Sequence, residues 1–294
     1  MATRSLIQLS ADELATALDG VEPIDTVAAE LVAKTTGAAG QQPDLDVRIA
    51  RWRGRTSAAS LPGTEWVVLE DLRSGPLCVL PTTSLMAGRI AALTGLAART
   101  LLAPGPVTAA IVGSGPAVRP QMVVITGHLR GVGRITVCPT RQPYGSLVES
   151  SLLDHVDLAG IGFAVATAVA TAVDAANLVV TVDPAPDGLD IGQLTKGAVI
   201  VNAAGREASA GLVGSVDQLY VDDAALVERD PERLAGRPVD ADLGQILAGQ
   251  HPGRTDRDHI VLVDLLDCTV LDVQLARLLH RVALERALGT RLPG

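Results

Sequence analysis

Lysine is almost missing from this 294-residue chain: Lys34 and Lys196 are the only two, and arginine carries the rest of the positive charge. With a formal net charge of −9 there is no basic surplus to track a nucleic-acid backbone, which needs clustered Lys and Arg. A small anion held locally by arginine remains compatible with that balance. Aromatic residues are as scarce (one Phe, two Trp, two Tyr), so the core must be built from Leu, Val, Ile and Ala. The three cysteines, Cys78, Cys138 and Cys268, are odd in number and far apart. They offer no framework of disulfides or paired metal ligands and suit a reduced, cytoplasmic setting. Long apolar runs are missing too. The N-terminal "MATRSLIQLSADELATAL" has no signal-peptide core, and the run 158–173, interrupted by Gly160 and Gly162, is too short to span a bilayer. Neither a membrane nor a nucleic acid is therefore expected as a partner. The histidines are scattered, and "HPGRTDRDH" has no recognised ligand spacing, so no metal site is expected. There is no GxSxG elbow and no Walker lysine.

What is present is an ordered alternation of local signals. The first forty residues read as helical, with Ser10 and Glu13 spaced as a capping box and "PIDTVAAELVAKTTGAAG" ending at glycines. "EWVVLEDLRSGPLCVLP" alternates around Ser74-Gly75 as a hairpin should, and "SLMAGRIAALTGLAARTLL" is a helix. From Val107 onward, short apolar runs alternate with helical segments, the grammar of a doubly wound parallel sheet. The runs are "VTAAIVG", "RITVCPT", "IGFAVAT", "NLVVTV", "GAVIVNAAG" and "DQLYVDD". "HIVLVDLLD" then leads back to a closing amphipathic helix at 270–288. The fold expected is α/β: a Rossmann-type domain at 106–262, inserted into a smaller α+β substrate and dimerisation domain made of 1–105 and 263–294.

The first parallel strand runs into Gly113-Ser114-Gly115. Gly113 permits a tight turn, and Gly115 lets backbone amides approach a pyrophosphate at a helix N-terminus. The same glycines also serve a chain that merely turns. Val118 is bulky for the third small position and is expected to push the helix off the strand. Pro120 would cost roughly 3 kcal/mol inside a helix and belongs in its first turn. Dinucleotide binding is expected in weakened form. The second strand ends in Thr140 and Arg141 without an acid. That favours a ribose 2′-phosphate, hence NADP(H) over NAD(H), unless Arg141 is simply a solvated loop residue.

Taken in order, these segments resemble the ornithine cyclodeaminase/mu-crystallin family across almost the whole chain. The resemblance rests on "VLEDLRSGPLCVLPTTSLMAGRIAALTGLAARTL", "AAIVGSGPAV", "NLVVTVDPAPDGLDIGQLTKGAVIVNAAG", "DQLYVDD" and "DLGQILAG". It implies a homodimer whose Rossmann domain binds NAD(H) or NADP(H), with cofactor contacts at Gly113, Ser114, Gly115, Thr140, Arg141, Thr181, Val182 and Ala203. It also implies a small amino acid or imine as substrate, with Arg89 holding its carboxylate and Arg48 next in line against Arg51 and Arg53. Arginine suits that role through its bidentate fork. The alternative for Arg89 is a surface salt bridge.

Several family features are altered. The threonine that follows the clamp arginine is Ile90 here, and the first-domain lysine is absent: "RGRTSAASLPGTEW" is short and lysine-free. The loop "NAAGREASAG" offers only Glu207 as acid/base, or as a mere loop charge. In "VDLLDCTVLD", Asp264 and Asp272 keep their register while Leu265 and Asp267 replace small residues. The expectation is an NAD(P)-dependent oxidoreductase acting on a C–N bond of a small amino or imino acid or a cyclic imine, with Glu207 and Asp264 as catalytic candidates. The alternative is a non-catalytic dimeric relative that binds a protein partner; ornithine cyclodeamination is disfavoured.

Overall fold

The computed structural model describes residues 6–19, 21–38, 47–54, 56, 64–140, 153, 156–157, 160–183, 189–266 and 268–292. The chain divides into two compact units, Met1–Arg89 with Thr269–Gly294, and Ile90–Cys268.

The discontinuous unit is a small α+β layer. Its strands are β1 (Leu6–Gln8), β2 (Val47–Arg51), β3 (Trp66–Asp71), β4 (Gly75–Pro81) and β13 (Thr290–Leu292), in the sheet order β13-β1-β4-β3-β2. Alternating side chains make β3 and β4 the hairpin the sequence announces. Its turn is pinned by Asp71 Oδ1, which accepts from the Arg73 and Ser74 amides at 2.8 and 2.9 Å. β1 is absent from the helical reading of the first forty residues. Three residues are too few to show a period, and the partners of this strand are β4, in parallel, and β13, antiparallel, far along the chain.

Helices α1 (Ala11–Leu18), α2 (Pro23–Thr35) and α9 (Val270–Arg286) belong to the same unit. Leu14, Leu69, Leu80, Leu85, Leu275 and Leu279 form its aliphatic core. The expected capping box is present. Ser10 Oγ accepts from the Glu13 amide at 3.2 Å, and Glu13 Oε2 accepts from the Ser10 amide at 2.8 Å. Ser10→Ala is expected to cost about 1 kcal/mol of stability in urea unfolding; a loss below about 0.3 kcal/mol would mean the cap is redundant.

The second unit is built on eight parallel strands. They are β5 (Val107–Val112), β6 (Val132–Cys138), β7 (Gly162–Val165), β8 (Leu178–Thr181), β9 (Val199–Asn202), β10 (Gln218–Val221), β11 (Ala241–Asp242) and β12 (Val261–Asp264). The sheet order is β11-β10-β12-β9-β8-β5-β6-β7. Helix α4 (Val118–His128) and the short helices α5 (Val169–Val173), α6 (Ala210–Ser215), α7 (Ala224–Arg229) and α8 (Leu243–Leu247) lie between these strands in the chain. Every residue of β8, β9, β10 and β12 is buried, which explains their unbroken apolar runs: sheets covered on both faces do not alternate. The chain goes out through β6 and β7, then crosses β5 to begin the other half at β8. That reversal is the Rossmann switch point, where such sheets bind their ligands.

The boundaries expected from sequence lie at 105/106 and 262/263, whereas the compact units divide after Arg89, within α3 (Thr82–Leu101), and after Cys268. Two features explain the difference. Arg254 ties the end of α3 to the parallel-sheet unit: its Nε donates to the Leu101 carbonyl at 2.7 Å and its Nη2 to that of Gly197 at 2.8 Å. β12 also lies wholly within the parallel sheet, inserted between β9 and β10.

The three cysteines are free and buried. Among the described residues, no helix is long and apolar enough to cross a membrane, and no group of three or more His, Cys, Asp or Glu could hold a metal ion.

Candidate cofactor and substrate residues

The carboxyl ends of five neighbouring parallel strands bring the candidate residues of the second unit side by side. Register places Cys138 beside Val112, Val112 beside Thr181, Thr181 beside Asn202, and Asn202 beside Asp264. Gly113, Thr140, Asp183 and Ala203 follow directly or within two residues of these strand ends.

Gly113 is the tightest point. A Cβ there would meet Val182 Cγ2 at 2.4 Å and the Asp183 amide nitrogen at 2.9 Å, so only glycine lets the two loops touch. Gly115 lies at φ +87°, and the space a Cβ would fill is open, the condition for close approach of a ligand to the backbone. Helix α4 starts three residues later, with Pro120 in its first turn, where a missing N–H costs nothing. Val118 is fully buried at the head of that helix: its isopropyl group is packed into the core. The turn therefore fits a dinucleotide pyrophosphate in backbone conformation and in space.

Ser114 and Thr140 are linked. The Ser114 amide donates to Asp183 Oδ2 at 3.0 Å, the Thr140 amide donates to Ser114 Oγ at 3.0 Å, and the Thr140 hydroxyl donates to the same Asp183 oxygen. Val182 and Ala203 have buried side chains, so they present backbone rather than side chain at the strand ends. Arg141 and Asp267 lie outside the described residues.

Next along the row is a buried polar chain. The Thr181 hydroxyl donates to Asn202 Oδ1 at 3.1 Å, and Asn202 Nδ2 donates to Asp264 Oδ1 at 2.5 Å and to the Arg206 carbonyl at 2.7 Å. Asp264 is 1% exposed, and the Ala208 amide also bears on its carboxyl, lowering its pKa. Burial pushes its carboxyl up to about 6, against the lowering by the Asn202 amide and the Arg233 guanidinium, with Asp222 adding to the rise. Asp222, itself buried, accepts from the Leu266 and Cys268 amides at 2.7 and 3.1 Å and fixes the chain beyond Asp264. Asn202, Asp183 and Asp222 are not among the residues that sequence reasoning singles out. Each ends or follows an apolar strand with a polar residue, and that was the available signal.

Glu207 is exposed in the loop after β9. Arg48 lies on the edge strand β2 and pairs across the sheet with Glu70 at 2.9 Å, its side chain 62% exposed. Arg89 corrects the expectation of a surface salt bridge as the alternative to a clamp. Its side chain is fully buried, and Nη1 meets Asp272 Oδ2, in the first turn of α9, at 3.1 Å. Of the two lysines, Lys34 lies in α2, and exposed Lys196 precedes β9 and pairs loosely with Asp258 at 3.8 Å.

Compared with known proteins, residues 49–287 match the model of the ornithine cyclodeaminase/mu-crystallin family. The chain belongs to this family. A Delta(1)-pyrroline-2-carboxylate reductase of Bacillus cereus is 24% identical over 242 residues, 77% of this chain and 73% of that protein. Among solved structures, the Thermococcus litoralis Delta(1)-pyrroline-2-carboxylate reductase, in complex with NADH and L-proline, has a TM-score of 0.73 at 18% identity, covering 97% of this chain and 100% of that one. An archaeal alanine dehydrogenase dimer with bound NAD has a TM-score of 0.72 at 16% identity, covering 98% and 99%. At these identities the structures establish the shared fold. Neither lysine lies on a described strand of the first unit.

Proposed function

We propose that this family member is an NAD(P)-dependent oxidoreductase acting on a C–N bond of a small imino or amino acid or a cyclic imine. The observation that carries the reading is the buried Thr181–Asn202–Asp264 chain at the carboxyl edge of the Rossmann sheet, in line with the glycine turn. Gly113, Ser114, Gly115, Thr140, Thr181 and the backbone of Val182 and Ala203 would hold the dinucleotide, with Arg141 as a further proposed contact. When bound, that cofactor supplies or accepts a hydride.

The protein's part is to orient and to handle a proton. A carboxyl with a pKa of about 6 can be either protonated or ionised near neutral pH, as a proton donor or acceptor for a C–N group requires. Asn202 fixes the orientation of that carboxyl by donating to one oxygen. Asp264 is therefore the favoured acid/base, and Glu207, exposed in its loop, is the weaker candidate. Arg89 is proposed to hold a substrate carboxylate, exchanging Asp272 for it, with exposed Arg48 as the second arginine. The functional assembly is proposed to be a homodimer in the cytoplasm.

Calorimetric titration of the purified chain with NADH and NADPH tests the reading, followed by cofactor oxidation with pyrroline-2-carboxylate and its six-membered homologue. Binding with a Kd below about 1 mM and measurable oxidation are expected. Failure of both cofactors to bind at millimolar concentration would sink the oxidoreductase proposal. A second reading, a non-catalytic partner protein, is favoured by the sealing of Arg89 against Asp272; cofactor binding without turnover of any imine would select it.

A further inference from the structure

Rossmann proteins that take NAD usually carry an acid at the end of the second strand, where it meets the ribose 2′-hydroxyl. Here β6 ends in Cys138 and is followed in the sequence by Pro139, Thr140 and Arg141, with no acid. The fold supplies the missing charge from elsewhere. Asp183, just beyond β8, sends its carboxylate across the switch point, where Oδ2 accepts from both the Ser114 amide at 3.0 Å and the Thr140 hydroxyl. The loops after β5, β6 and β8 thus meet on one carboxylate oxygen.

The placement follows from close packing. Gly113 lets the β5 loop lie directly on Val182 and the Asp183 backbone, and the Asp183 carboxylate then reaches the Ser114 amide. Ser114 Oγ accepting from the Thr140 amide at 3.0 Å closes the ring.

We infer that Asp183 sets the cofactor preference of this turn, favouring a dinucleotide with a free ribose 2′-hydroxyl over one bearing a 2′-phosphate. The inference rests on the dinucleotide-binding reading above and reverses the preference suggested by Thr140 and Arg141 alone. A hydroxyl can donate to a carboxylate, whereas a phosphate near −2 in charge is acceptor-only and repelled by it. The residues that would receive the ribose, Ser114 and Thr140, are the two that hold this carboxylate in place.

The test is the ratio of NADH to NADPH dissociation constants, measured by calorimetry on the full chain and on Asp183→Asn. The asparagine keeps an acceptor oxygen for Ser114 and Thr140, removes the charge and turns the second oxygen into an amide donor. Wild type is expected to bind NADH about tenfold or more tightly than NADPH, and Asp183→Asn to narrow that ratio about tenfold, chiefly by tightening NADPH. Equal or tighter NADPH binding by wild type, or an unchanged ratio in the variant, overturns the inference while leaving the oxidoreductase reading intact. If neither cofactor binds either protein, both fall together. Should the variant fail to fold, the wild-type ratio decides between about 10 mM and about 500 mM salt. Screening of the repulsion narrows it, and a constant ratio overturns the assignment.

Discussion

Asp272→Ala is expected to destabilise the protein by about 3–5 kcal/mol, because it takes the counter-charge from a buried cation. Arg89 is fully buried and Asp272 only 15% exposed, with 3.1 Å between Nη1 and Oδ2. A guanidinium does not shed its proton in a protein, so without this carboxylate the positive charge stays buried with less of the attraction that offsets its desolvation. Asp272→Asn, which keeps an acceptor, should cost less. The double substitution Arg89→Met with Asp272→Leu should fall close to wild type, since well-packed apolar residues often replace a buried pair without loss. Urea unfolding of wild type, Arg89→Met, Asp272→Leu and the double completes a thermodynamic cycle. A cost below about 1 kcal/mol for Asp272→Ala would show that the pair does not hold this part of the core. The same variants probe the clamp. If a substrate carboxylate competes with Asp272 for Arg89, Asp272→Asn lowers KM for carboxylate-bearing imines, and the double variant loses them while remaining folded.

Asp264→Asn is expected to separate stability from activity. A carboxyl raised from 3.8 to about 6 in the folded protein is disfavoured there in its charged form. Between those two values the unfolded chain has released a proton that the folded one retains. Stability therefore falls as pH rises from about 4 to about 6, by an amount on the order of 3 kcal/mol, and is level again above that window. The asparagine variant lacks this contribution, so its advantage over wild type should grow across the same interval and persist at neutral pH. Its kcat is expected to fall by about a hundredfold or more, with loss of the pH-profile limb near 6. A variant that stays active, or whose stability tracks wild type at every pH, would remove Asp264 from the proposed acid/base role. A costly buried carboxylate whose removal stabilises the fold is the pattern of a residue retained for function.

Much of this architecture was legible without coordinates. The capping box at Ser10 and Glu13, the hairpin around Ser74-Gly75, the helix following it and the succession of parallel strands are all written in local spacing, because caps, turns and two-sided burial leave their marks within a few residues. The glycine turn was legible as well, and its ordered neighbours carried the family resemblance. What stayed hidden depends on pairing between distant segments. β1 is too short to show a period and exists only because β4 and β13 flank it. β12 follows β10 and β11 in the chain but enters the sheet between β9 and β10.

The site divides in the same way. Residue types and their spacing were enough for a Rossmann sheet with a glycine turn, and the family resemblance is what singled out Arg89 and Asp264. What those groups meet came from the folded arrangement. Closure of the parallel sheet aligned Thr181, Asn202 and Asp264 into one buried chain, and burial then raised the last of them. Packing within the first unit joined Arg89 to Asp272, 183 residues away. The contact between the loops after β5 and β8 gave the Ser114-Thr140 corner a carboxylate from Asp183. Residue type and local period record what a segment can do alone; the partner of a buried charge is fixed by which strands and helices the core brings together.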